Sequence, residues 1–174
     1  TTVAAVNGVA TFSDVRIERA ATGLRLAVTA TGLAALQSDP IAVSAAAPAE
    51  LVVLTPPPAT AQSGVAFGTQ PRLALRDAFA NRVLSSGAAV TASIASGPAG
   101  SSLNNAQAFT GSDGIATFSG LAIVGSSGSY TISFGSGTFT TASSAGITIG
   151  AGAATQLALT VAPPATAVNG QAFG

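Results

Sequence analysis

Gly114-Ile115-Ala116-Thr117-Phe118-Ser119 restates Gly8-Val9-Ala10-Thr11-Phe12-Ser13 at an offset of 114 − 8 = 106 residues. The same offset carries Pro57-Pro58-Ala59-Thr60-Ala61 onto Pro163-Pro164-Ala165-Thr166-Ala167, and Gly64, Ala66, Phe67 and Gly68 onto Gly170, Ala172, Phe173 and Gly174. Residues 1–68 thus overlay residues 107–174 without a gap, and about 20 of the 68 aligned pairs are identical, clustered at turns and at alternating apolar positions. Diverged copies of one folding unit leave this pattern, because turn chemistry and core positions change slowest.

A period of 106 is too long for a solenoid unit of about 20 to 50 residues and matches the roughly 100 residues of an immunoglobulin-type sandwich. The expected fold class is therefore all-β, a tandem of immunoglobulin-like β-sandwiches of about seven strands each. Residues 1–48 read as the C-terminal part of one repeat, 49–153 as a complete repeat, and 154–174 as the first strand region of the next.

Local patterning within the complete repeat agrees. Glu50 to Thr55 reads as a first strand, stopped by Pro56-Pro57-Pro58, which cannot donate to a central ladder. Arg72-Leu73-Ala74-Leu75-Arg76 alternates with period two, turning Leu73 and Leu75 inward and both arginines outward. Val90, Ala92 and Ile94 repeat the alternation, as do Tyr130, Ile132 and Phe134; Ile147 and Ile149 close the repeat. Gly97-Pro98 signals a turn, and Asp113-Gly114 a tight connection into the strand that carries Ile115 and Phe118, with Leu121 and Ile123 beyond Gly120. By the offset, Val9, Phe12, Val15 and Ile17 should line the equivalent strands of the preceding repeat.

Charged residues make up only 7% of the chain, every cation is an arginine, and the formal net charge is zero. A basic stripe able to displace counterions from a phosphate backbone is missing, which argues against nucleic acid as a partner. The most apolar region, Ile147 to Val168, is broken by Gly150, Gly152, Gln156, Pro163 and Pro164, so no membrane insertion is expected in this window.

Without histidine, cysteine or lysine there is no Ser-His-Asp triad, thiolate nucleophile, Schiff base or zinc cluster. The six carboxylates, Asp14, Glu18, Asp39, Glu50, Asp77 and Asp113, are scattered over separate elements. The expectation is accordingly no enzyme, with no catalytic and no cofactor-binding residues. Asp77 and Asn81, at the ends of a strand-connecting turn, are weak metal candidates: with backbone carbonyls they offer hard oxygens to calcium. The favoured reading is a pair of Asx-type turn residues, since calcium takes six to eight oxygens and one aspartate brings little charge.

The run from Pro71 to Asp77, Asn81-Arg82-Val83, Gly114 to Leu121, and Tyr130-Thr131-Ile132 together resemble the tandem bacterial immunoglobulin-like repeats of large surface proteins, such as the modules of invasin and intimin ectodomains. That resemblance implies an extracellular or cell-surface location and a role in stalks, adhesins or filaments. The first repeat departs from it, with Leu24 where the second has Tyr130, so a tyrosine-corner hydrogen bond is not required of every repeat.

Two functions are expected in order: a structural repeat of an extracellular filament, stalk or surface-layer-like fibre; or an adhesin or carbohydrate- or protein-binding module using the polar loop from Gly97 to Asn105. The first makes other copies of the chain, or neighbouring repeats, its partners. It draws on the replacement of Arg16, Glu18 and Arg25 by Ala122, Val124 and Thr131, all read as outward-facing, which leaves a nearly uncharged face in the second copy.

Overall fold

The computed structural model describes residues 1–137, 139, 142–154 and 156–172. Every regular element among them is a β-strand. The first segment carries β1 (Ala21–Leu24), β2 (Ala27–Val28), β3 (Leu36–Gln37) and β4 (Ile41–Val43). There follow β5 (Glu50–Thr55), β6 (Thr60–Gln62), β7 (Arg72–Arg76), β8 (Ala89–Ser96), β9 (Ser102–Asn104) and β10 (Gln107–Phe109). The last are β11 (Ile115–Thr117), β12 (Ala122–Val124), β13 (Gly128–Gly135), β14 (Ala142–Ser143) and β15 (Ile147–Gly150).

Strands β5 to β15 share one core. A three-stranded antiparallel sheet, β11-β7-β5, and a six-stranded sheet, β10-β8-β13-β15-β6 with β14 on β13, both contribute to it. The three prolines join them: β5 ends at Thr55 because Pro56 has no N–H to give, and beyond Pro58 the chain re-enters as β6, parallel to β15, with Ala61 opposite Ile149. Leu51, Leu73, Leu75 and Phe118 meet Val90, Ile132, Phe134, Ile147 and Ile149 in this core. The Phe118 and Phe134 rings, 5.5 Å apart and tilted by 58°, pack across it in a favourable aromatic geometry.

The inward assignments of the sequence hold here: Leu73, Leu75, Val90, Ala92, Leu121, Ile123, Tyr130, Ile132, Phe134, Ile147 and Ile149 are buried, and Ile94 is half-buried. Strands are more numerous than the seven expected. The additional ones, such as β6, β9 and β14, are two or three residues long and built from Thr, Ser, Asn, Gln and Ala with the single large apolar residue Leu103, too short to show an apolar alternation. Ala122, read as outward, is buried in its own β12, so the uncharged outer face is narrower than the sequence suggested.

Three strand pairings of the first segment keep the register of the second at the 106-residue offset, while the start of β1 departs from it: Ala21 faces Val43, whose counterparts are Ser127 and Ile149, whereas Ile149 faces Gly128. Leu24 faces Ile41 as Tyr130 faces Ile147; Ala27 faces Gln37 as Ser133 faces Ser143; Val28 faces Leu36 as Phe134 faces Ala142. Ser38 Oγ accepts from Leu26 N at 2.9 Å and donates to Asp39 O at 2.8 Å, and Ser144 Oγ accepts from Ile132 N at 2.9 Å and donates to Ala145 O at 2.8 Å. The turn closed by Val65 N on Gln62 O recurs as Gln171 N on Val168 O.

Burial does not repeat. Val9 and Phe12 are 64% and 38% exposed where Ile115 and Phe118 are 9% and 1%, and residues 9–17 form no strand, contrary to expectation. Residues 156–172, expected to hold the first strand of a further repeat, likewise carry no strand.

Candidate functional site

The densest polar cluster is the turn Asp77-Ala78-Phe79-Ala80-Asn81 that follows β7. The turn is closed by Asp77 N on Asn81 O and Ala80 N on Asp77 O, and flanked by the Arg76–Arg82 bridge. Ala80 sits at φ 63°, a left-handed conformation that L-residues tolerate only where surroundings fix it.

Asp77, only 1% exposed, fixes it. Its Oδ1 accepts from Phe79 N and Asn81 N, each at 2.9 Å, and its Oδ2 from Ala46 N at 2.9 Å and Asn81 Nδ2 at 3.0 Å. Burial alone would raise the carboxyl pKa. The Asn81 side-chain amide and the N–H groups of Ala46, Asn81 and Phe79 outweigh it and lower the value to about 2, so the carboxylate is ionised at neutral pH.

Asn81 turns its remaining capacity outward from the turn. Its Oδ1 accepts from Ala20 N at 2.9 Å and its Nδ2 donates to Glu18 O at 2.6 Å, both across more than 60 residues of sequence. The two residues named by sequence as weak metal candidates are thus brought together, but every group reaching Asp77 is an N–H donor, whose positive end opposes a cation. Among the described residues, no three metal-capable side chains converge. The Asx-turn chemistry is present; the reach to residues 18, 20 and 46 left no sequence signal, because backbone groups receive it.

The second candidate region, Gly97 to Asn105, is not an open loop. Its β9 pairs with β12, and its start is closed by Tyr130. Tyr130 Oη donates to Ser126 O at 2.7 Å and lies 2.8 Å from Ser101 Oγ, the tyrosine-corner geometry at the entry to β13. Gly97 is required beneath the ring, since any Cβ there would run into Tyr130 Cδ1.

Two clefts remain. One, of about 620 Å³, is lined by Phe12, Val15, Leu26 and Val28 of the first segment. The other, of about 570 Å³, separates Ala20–Thr22 and Val43–Ala45 from residues 81–84. Neither brings two carboxylates together.

No protein-family profile matches the chain, and no curated protein matches it. Among solved structures, a member of glycosyl hydrolase family 2 from Bacteroides cellulosilyticus is similar over 67% of this chain, at 15% identity and a TM-score of 0.41. The match spans 16% of that chain, and a likeness so low carries no argument about activity.

Proposed function

We propose that the chain is a run of tandem immunoglobulin-like β-sandwiches serving as the structural repeat of an extracellular filament, stalk or surface-layer-like fibre, without catalytic activity. The observation that carries this reading is the recurrence of strand register and of the Ser38 and Ser144 bonds at the 106-residue offset of the sequence repeat. Sequence similarity alone could survive from a shared origin without a shared fold. Repetition of the pairing partners supports two copies of one architecture, the first lacking the strands that would cover Phe12 and Val15.

A structural role also fits how the polar side chains are used. Asp77, Asn81, Thr110, Gln70 and Tyr130 are all spent on internal hydrogen bonds, and no buried polar side-chain atom among the described residues is left without a partner. Partners on this reading are neighbouring repeats and other copies of the chain. The alternative of an adhesin or carbohydrate- or protein-binding module would use Gly97–Asn105, which β9 and the Ser101–Tyr130 contact hold in place while Gly97, Ala99, Gly100, Ser102, Asn104 and Asn105 stay exposed. Electron microscopy of the native protein tests the proposal. Beaded rods or fibres with one bead per repeat are expected, and compact isolated particles would sink it.

A further inference from the structure

We infer that the Asp77–Asn81 turn is a docking clasp for the preceding repeat, which it recognises through backbone groups alone; this rests on the tandem-array reading above. Three bonds reach from the turn into the upstream segment: Asp77 Oδ2 to Ala46 N, Asn81 Oδ1 to Ala20 N and Asn81 Nδ2 to Glu18 O. Each ends on a main-chain atom. The connecting segment is drawn in as well, with Ala49 N bonded to Arg76 O at 2.8 Å and Ala45 packed against the core.

Little else holds the two units together. The cleft lined by Ala20, Thr22, Val43, Asn81, Val83 and Leu84 leaves their facing surfaces apart, and no strand of the first segment joins either sheet of the core. Orientation therefore depends on the clasp and on the short Ser44–Ala49 connection. Without a large apolar interface, units in one chain move relative to each other by default, so these few polar bonds are what restrain direction here.

Backbone recognition suits an array whose side chains drift. At the 106-residue offset the receiving positions Glu18, Ala20 and Ala46 become Val124, Ser126 and Gly152. Charge, size and polarity all change, yet the N–H and C=O groups remain. A turn of this kind can then hold the preceding unit without matching mutations on the other side.

The test is a distance measurement in the 174-residue chain. It has no native cysteine, so spin labels go only to Ala34→Cys in the first segment and Gln107→Cys in β10, both exposed. The expected result is a narrow label-to-label distribution that widens by about twofold or more in Asn81→Ala, as the freed connection behaves like a flexible tether. Ala20→Pro, which deletes an N–H outside the core, widens it too, whereas Glu18→Ala and Ala20→Ser leave it narrow. A second label pair, Gln107→Cys with Ser143→Cys, lies within the core unit and stays narrow throughout, showing that Asn81→Ala still folds. An equally narrow distribution in Asn81→Ala and the unaltered chain overturns the clasp, and so does a broad distribution in both. Beaded rods in the electron microscope would leave the array reading standing in either event.

Discussion

Tyr130 is the largest fully buried side chain, and its hydroxyl enters the interior only because Ser126 O and Ser101 Oγ stand at its end. Tyr130→Phe keeps the ring on Gly97 and removes only the oxygen, so denaturant unfolding should show a loss of about 1 kcal/mol, the net worth of a buried neutral hydrogen bond. Asp77 makes a pH-dependent contribution. Its folded pKa of about 2 lies below the ordinary 3.8, so its stabilisation is complete above 3.8 and disappears as pH falls through about 2. Unfolding followed from neutral pH into acid should show the stability gap between the native chain and Asp77→Asn closing across that window. A constant gap would mean that the carboxylate charge does not act. At this scale the sequence was legible for Tyr130 and for the turn character of Asp77 and Asn81, because their chemistry is local. Partners on residues 18, 20 and 46 were not, since a backbone N–H looks the same in every residue but proline.

Strands of eight residues announce themselves, and strands of two or three do not. β8 and β13 each span eight residues with alternating burial, so Val90, Ala92, Ile132 and Phe134 were placed correctly from period two alone. β9 and β14 offer only two or three residues each, with one apolar side chain apiece, Leu103 and Ala142, and their existence is decided by the partner strand laid beside them rather than by their own composition. β14 shows what such a short element does. It ends at Ser143, and Ser144 Oγ then takes over as acceptor for Ile132 N, with Ser144 N donating to Ile132 O. The side chain substitutes for a ladder carbonyl at the point where the backbone turns away. Ser144→Ala strands that N–H inside the sheet, and a loss of about 1 to 3 kcal/mol in thermal or urea unfolding is expected. Ser38 makes the same bonds in the first segment but in a more exposed setting, so Ser38→Ala should be the milder change, water replacing the lost acceptor.

Two copies of one sequence pattern, one sealed and one open, make a test of the whole arrangement available inside the chain itself. Phe118 is buried in the core, and Phe118→Ala should cost about 3 to 5 kcal/mol, the usual range for truncating a packed phenylalanine. Phe12 occupies the same place in the repeat yet is 38% exposed, and Phe12→Ala in the present chain should change stability by no more than about 0.5 kcal/mol. The asymmetry arises from missing covering strands rather than from a different fold, if the tandem reading is right. Residue 107 corresponds to residue 1, so the strands that Phe12 lacks are those of residues 49–106, read at the next junction upstream. Duplicating residues 49–106 directly ahead of Thr1 should therefore close the first segment into a second unit with its own core. In that longer chain Phe12→Ala should rise to a cost of about 3 to 5 kcal/mol, and the denaturant dependence of unfolding should grow with the newly buried surface. If Phe12→Ala stays near neutral there, the two copies are not interchangeable parts of one architecture, and the repeat in the sequence does not correspond to a repeat in the fold.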